Sequence, residues 1–418
     1  MKNLRYAVVA IALTIGVQSA FAQSKLVSFY KKGIQIKAYA DSAKTKQIFL
    51  LKPEFRFQTR FESMGNPAGG EKWDANFMIR RARLKFGGFL YSPNVMYKVE
   101  LSLSSNDLKS SKDFKEAGGS TKVILDAVLK WRFYKSKSGK QSLTLWAGQT
   151  KMPGNRQRLV SSQALQLVDR SQVNSIFNID RDIGVHLHGQ FQVGSVVLRP
   201  IFAFAKGEGR NIISNNIGGF SYTGKLEILP FGLFESKGDY FEADLKREQK
   251  PKLSLAASAT YNEGASRDKQ TGTFLIDTAG DYMANNLLTV LGDVMFKYKG
   301  FSLLAEGAFK QVMLKSGQSL SATDSTLISV GGKTYQTGWG VSAQAGYLFK
   351  HNIELAARYT RVVPDWSKSF TGLDEYTIGL SKYVVGHKLK VQTDVTLIDE
   401  FDNADYSLRY RLQVEVAF

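Results

Sequence analysis

The chain has no cysteine, only 8 prolines and 4 histidines in 418 residues, and no long apolar run beyond its first 22 residues. Without cysteine there are no disulfides, no thiolate metal sites and no cysteine nucleophile. Without a long apolar run, no helix downstream of residue 22 supplies the ~20 apolar residues needed to span a bilayer. Acid is also short: Asp and Glu total 37 against 56 Lys and Arg, so the formal net charge is +19. That excess implies an anionic partner, whether nucleic acid, a membrane surface or a small anion. At 43% hydrophobic and 12% aromatic residues the chain is too apolar for a disordered tail. Catalytic motifs are missing too. Gly332-Lys333-Thr334 has Leu327 where a phosphate loop needs its earlier glycine, and no Gly-x-Ser-x-Gly elbow occurs. His186 and His188 lie two apart on one strand face, and they read as a lumen-facing polar pair rather than a metal site.

What is present begins with an export signal. Lys2 and Arg5 form a basic start, Ala7 to Val17 is an apolar run of 11 residues, and Ala20-Phe21-Ala22 is a small-x-small cleavage site. Residues 1–22 are therefore expected to be removed, leaving a charge of +17. If the exported chain enters a membrane, it must do so as a closed β-barrel.

Alternation with period two runs through the rest. At the C-terminus Tyr406, Leu408, Tyr410, Leu412, Val414, Val416 and Phe418 alternate with Ser407, Arg409, Arg411, Gln413, Glu415 and Ala417. Such alternation puts one set on each face of a strand. The same signature recurs near 51–62, 81–90, 95–103, 122–133, 339–349, 353–359 and 388–397. Sixteen strands are expected, near 47–61, 76–91, 93–104, 121–134, 141–149, 181–192, 195–206, 220–231, 252–262, 286–299, 301–311, 335–349, 352–362, 373–385, 387–398 and 405–418. Pro230 lies within the one at 220–231 and weakens that assignment. Short links carry turn chemistry, at Ser92-Pro93-Asn94, Lys299-Gly300, His351-Asn352 and Gly386-His387. Longer polar links fall at 62–75, 104–120, 150–180, 263–285 and 311–334.

Short turns alternating with long loops suit an all-β, transmembrane, antiparallel up-and-down barrel in the outer membrane. Residues 47–418 are expected to form that single barrel, with 23–46 as a periplasmic lead-in. Aromatics toward strand ends, such as Trp131, Phe133, Trp339 and Phe418, suit interface girdles.

In such a barrel the apolar face meets lipid and the polar face lines the lumen. About 16 strands enclose an aqueous channel. The polar face is basic: Arg56, Arg60, Arg81, Arg83, Lys85, Lys98, Lys130, Arg132, Lys390 and Arg411 lie on it. Acids including Glu54, Glu100, Asp126, Asp394 and Glu415 share it, so part of the charge can serve as a cross-strand brace. The excess of cations exceeds what balanced pairs would cancel. Arg81, Arg83 and Lys85 form a column two residues apart, a ladder of weak anion sites. Arg80, one residue out of phase, is expected to point the other way, to sit at an interface or to snorkel.

The sequence resembles the phosphate-selective porin O and P family. The likeness is carried by Lys32-Gly33-Ile34-Gln35 with Asp41, by FMIRRARLKF at 77–86, by Asp126, and by 147–189 (AGQTKMPGNRQRLVSSQALQLVDRS, then RDIGVHLHG). The resemblance implies a sixteen-stranded outer-membrane porin, a homotrimer, with a long third loop folded into the lumen as a constriction. It also implies transport of small anions such as phosphate. Residues 150–180 match the constriction loop, so Lys151, Arg156, Arg158 and Arg170 are expected to meet a passing anion. Arg81 and Arg83 match the family's pore-wall arginines.

The expectation is thus an anion-preferring porin surrounded by outer-membrane lipid, with no enzyme activity, no cofactor, no metal and no nucleic-acid partner. The alternative is a structural or adhesive barrel whose loops bind a surface ligand.

Overall fold

The computed structural model describes residues 33–67, 73–108, 123–212, 219–270, 272–314, 327–329, 332–365 and 369–418. The expected signal peptide at 1–22 lies outside these residues, as do parts of the expected loops at 62–75, 104–120 and 311–334.

Sixteen antiparallel strands form a closed barrel: β2 (Gln47–Gly65), β3 (Asp74–Leu90), β4 (Val95–Ser102), β5 (Ile124–Lys135), β6 (Gln141–Lys151), β7 (Arg181–Val193), β8 (Val196–Ala205), β9 (Ser221–Leu229), β10 (Lys252–Ala265), β11 (Asn285–Tyr298), β12 (Phe301–Met313), β13 (Gly338–Leu348), β14 (Ile353–Pro364), β15 (Leu373–Tyr383), β16 (Leu389–Glu400) and β17 (Ser407–Ala417). Each pairs with its sequence neighbours, and β17 returns to β2 from Leu408↔Gly65 to Ala417↔Arg56. Closure pairs the first strand with the last and satisfies the backbone inside lipid. All 16 expected strands are found, and β9 stops at Leu229, directly before Pro230.

A short extra strand, β1 (Ile36–Tyr39), explains the lower end of β2. The chain terminus faces Phe55, where Phe55 and Phe418 exchange both backbone hydrogen bonds at 3.0 Å. Below that point β2 would show a bare edge, and β1 covers it from Ile36↔Leu51 to Tyr39↔Gln47. Pro53 lies between these two partners. Its missing N–H falls on the side where neither reaches, so the ladder loses nothing.

Burial confirms the inverted faces. In β11, Asn285, Leu287, Thr289, Leu291, Asp293, Met295 and Lys297 are buried toward the lumen, while the residues between them face out. Outward aromatics gather at both ends of the strands. Tyr91, Trp131, Phe133, Phe349 and Phe418 are exposed at one end, and Phe77, Trp339 and Phe309 at the other. Such paired girdles mark the two interfaces of a membrane-spanning barrel.

The two ends differ in their links. Between the sixteen barrel strands, one end has links of six to 29 residues; the other has links of two to five, with a single exception of 22 residues between Leu229 and Lys252. The short-link end is the periplasmic one.

Candidate functional site

After β6 the chain turns into the barrel. Met152, Val160, Leu165, Leu167 and Val168 are no more than 1% exposed, so residues 152–180 bury an apolar set inside the lumen. The short helix Gln172–Phe177 packs on β12, β13 and β14. Its Val173 and Phe177 join Leu291, Ala308, Val362 and Leu373 in one cluster. Further along, wall side chains hold the loop's backbone. Lys390 donates to the Leu165 carbonyl at 2.8 Å, Ser381 to that of Gln166 at 2.9 Å, and Asp394 accepts from the Val168 N–H at 2.9 Å. Gly346 and Gly379 make this approach possible. A Cβ on Gly346 would run into the Gln166 side chain, and one on Gly379 would lie 2.6 Å from Leu167.

The loop thus closes the lumen along β10–β17 and leaves space along β3–β8. Two cavities follow. An outer vestibule of about 510 Å³ lies between Arg60, Met78, Asp169, Arg409 and Arg411. A larger chamber of about 920 Å³ continues inward along β3–β8. Arg80, Arg81, Arg158 and Arg170 line both spaces, so they form the neck between them. At the periplasmic end Lys85 and Lys98 are shared with a third cavity of about 290 Å³ beside Gly33, Ile34 and Phe418.

A β-bulge builds this neck. The register of β2 against β3 runs Gln58↔Arg81 and then Thr59↔Ile79, which leaves Arg80 as the extra residue. A bulge sets two residues against one and re-aims a side chain. Arg80 was expected to point away from the lumen; instead it lies beside Arg81 and reaches Asp169 at 3.4 Å. Strict alternation fails here because the inserted residue shifts the phase of everything above it.

Asp169, on the loop, also receives Arg60 at 2.9 Å and Arg81 at 3.3 Å. Burial by itself would raise its pKa, but Arg60, Arg80 and Arg81 outweigh that and hold its carboxyl well below the usual carboxylate range. Arg170 donates to the carbonyls of Gln157 (2.7 Å) and Val160 (2.8 Å), and Lys151 to those of Leu159 (3.0 Å) and Val160 (3.1 Å). Carbonyl oxygens hold both side chains in place. Burial pushes Arg170 down to about 10, so it stays charged at neutral pH.

The described residues lining the chamber include fourteen Lys and Arg but three acids, Glu100, Asp126 and Asp180. Those acids are each shared. Glu100 meets Arg83 at 3.0 Å and Lys98 at 2.9 Å; Asp126 meets Lys98 at 2.6 Å and Arg181 at 3.0 Å; Asp180 meets Arg158. Acids outside the lining reach other cations of the wall: Asp169 meets Arg80 and Arg81, Glu54 meets Lys85 at 2.7 Å, and Asp239 meets Arg199 at 2.6 Å, and the lining cations still outnumber all of these acids.

Of the nine cations expected at the pore, Arg81, Arg83, Lys85, Lys130, Arg132, Lys151, Arg158 and Arg170 lie on the chamber wall. Arg156 does not. It is fully buried, with Asp293 at 2.8 Å, Glu227 at 3.5 Å and Asp239 at 3.9 Å. Burial opposes its charge, but Glu227 and Asp293 outweigh it and raise its pKa well above the ordinary value. It points to the closed side because the helical turn Arg156–Leu159 sends Arg156 and Arg158 in different directions. Arg181, Arg199, Arg210 and Lys237 line the chamber without having been singled out. Arg181 and Arg199 sit on strand faces that alternation could have assigned. Lys237 comes from the long periplasmic link, whose inward path no local pattern announces. His186 and His188 lie on the inner face of β7, stacked with Trp146, the His188 and Trp146 ring centroids 3.9 Å apart.

Fold and wall together define a class, an outer-membrane β-barrel channel. Residues 51–209 match the family "Phosphate-selective porin O and P", which bears out the resemblance over β2–β8 and the inward loop. Among solved structures, the outer membrane channel DcaP of Acinetobacter baumannii aligns with a TM-score of 0.54 at 14% identity, covering 92% of this chain and 100% of that one. The anion-selective porin from Comamonas acidovorans aligns at 0.51 and 10% identity, covering 88% and 99%. The trimer form of OmpT from Vibrio cholerae gives the same four values. These distant likenesses establish a shared fold. No curated protein matches the chain. Family and fold point to a channel rather than an enzyme.

Proposed function

We propose that the channel prefers anions, and that Arg80, Arg81, Arg158 and Arg170 at the neck set the preference. The observation that carries this reading is the lining itself: fourteen cations against three acids among the described residues, with four arginines where vestibule and chamber meet. At ~0.15 M salt, charges more than ~8 Å from an ion in water are largely screened, so wall charge acts where the path is narrow. Cations there lower the entry energy of an anion and raise that of a cation, with no chemistry involved. Spreading the charge over Arg83, Lys85, Lys98, Lys130 and Arg132 below the neck gives successive weak sites rather than one trap.

The substrates on this reading are small inorganic anions, phosphate among them. A homotrimeric assembly is part of the same proposal, supported by the family resemblance and by the trimeric OmpT relative. The test is the reversal potential of single channels in a potassium chloride gradient, before and after the double change Arg80→Gln and Arg158→Gln. The wild type should favour chloride. The variant should move toward the cation side, with a shift that shrinks as salt rises. A wild-type channel that favours potassium, or a folded variant with an unchanged potential at low salt, would refute the proposal.

A further inference from the structure

The 22-residue link between Leu229 and Lys252 is the one long connection at the periplasmic end. It does not hang into the periplasm. Phe234, Asp239, Glu242, Ala243, Asp244 and Glu248 are all at most 6% exposed. The link folds up into the barrel and is held there by the wall. Lys297 of β11 donates to three of its carbonyls, those of Gly238, Phe241 and Ala243, each at 2.8 Å. Asp244 accepts from the Gly300 N–H at 2.8 Å, at the turn between β11 and β12.

The link also meets the inward loop. The Glu242 N–H donates to the Ala164 carbonyl at 3.1 Å. The Glu242 carboxylate accepts from the Gln166 N–H at 2.8 Å, from Gln344 of β13 at 3.0 Å and from the Gln157 side chain at 3.4 Å. One buried carboxylate therefore joins a segment entering from the periplasm, a loop entering from outside and the barrel wall. A buried acid with several donors is costly to disturb, because each donor loses its partner at once. On its other side the link narrows the path. Ser236 and Lys237 are consecutive non-glycine residues at φ 53° and 61°, and with Tyr240 and Phe241 they line the chamber.

We infer that residues 230–251 form a second, periplasm-side constriction, and that Glu242 is the positioning residue that clamps the inward loop to it. Channel width is then set jointly by two segments entering from opposite ends. This concerns geometry and is independent of which ion is preferred.

The absence of cysteine makes a direct test available. Lys237→Cys introduces the sole thiol, at an exposed position on the link. Attaching a bulky thiol reagent to it should drop the single-channel conductance stepwise. The same reagent on Ser138→Cys, in the short turn between β5 and β6, should leave conductance unchanged. Complete labelling at position 237, checked by mass, with unchanged conductance overturns the constriction. For the clamp, Glu242→Ala should raise the conductance and replace one current level by several. Glu242→Gln, which keeps an acceptor oxygen for the Gln166 N–H, should stay at the wild-type level. A folded Ala variant with wild-type conductance, or a Gln variant as altered as the Ala variant, overturns the clamp. Ion selectivity is read separately from the reversal potential, so failure here and failure of the anion reading remain distinguishable.

Discussion

The two halves of the lumen are made from the same kinds of residue and behave in opposite ways. Along β10–β17 buried charges such as Arg411, Lys297 and Lys390 meet a partner or a loop backbone. Arg56 reaches Glu415 at 3.0 Å, Arg411 reaches Asp394 at 2.7 Å, and Lys390 holds the Leu165 carbonyl. There the charges brace a closed interior. Along β3–β8 the lining cations outnumber the acids that reach them, Asp169 and Glu54 included, and a chamber of about 920 Å³ stays open beside them. The lesson is that an arginine on an inward face is not thereby a pore residue. It becomes one only where the inward loop leaves space and the local charge does not cancel.

The largest expected effect comes from crossing that boundary on the closed side. Arg156→Ala removes the cation shared by Glu227, Asp239 and Asp293. Breaking a buried pair from one side costs about 3–5 kcal/mol, so the barrel should lose its folded gel mobility at a clearly lower temperature. The reversal potential of channels that still form should not change. Arg80→Gln with Arg158→Gln should show the reverse, a shifted potential with a smaller drop in unfolding temperature, since both side chains are partly exposed.

Gly379→Leu attacks the docking surface instead. Its side chain would meet Leu167, the Thr393 carbonyl and Asp394. Overpacking costs about 1–3 kcal/mol, and displacement of the loop edge should appear as added current noise.

The smallest effect is expected from mild acid. Asp169 has a lowered pKa in the folded protein, so its stabilisation is complete above the unfolded value of about 3.9 and is lost as pH falls through the folded one. Asp169 should therefore keep the loop docked between pH 7 and about 5, with steady conductance, and release should begin only well below the unfolded value. Loss of the single current level near pH 5 would show that a loop contact other than Asp169, such as Glu306 with the Gln157 N–H, responds to acid first.

Much of this architecture was legible in the chain. Period two on strands such as β17, and turn chemistry at Lys299-Gly300 and Gly386-His387, mark the sheet and its short links. Both signals are local, because the pleat and positive φ act within a few residues. The site was legible only in part. Arg81, Arg83 and Lys85 could be placed on one face by counting. Arg80 could not, because its orientation depends on the bulge against Thr59 in another strand. Arg156 and Arg158 look alike in sequence, two residues apart on one short helix. Which of them meets solvent depends on acids 70 to 140 positions away.

Alternating residue chemistry, export and a surplus of cations are properties of short stretches or of plain sums, and they carry as far as a basic barrel wall. Where that wall is open is a property of two segments, 152–180 and 230–251, meeting inside it through Glu242. Their meeting rests on contacts such as Lys297 with Gly238 and Gln166 with Glu354, between residues far apart in the chain. Such pairings have no period to read. They exist only once the barrel has closed and brought those side chains within hydrogen-bonding reach.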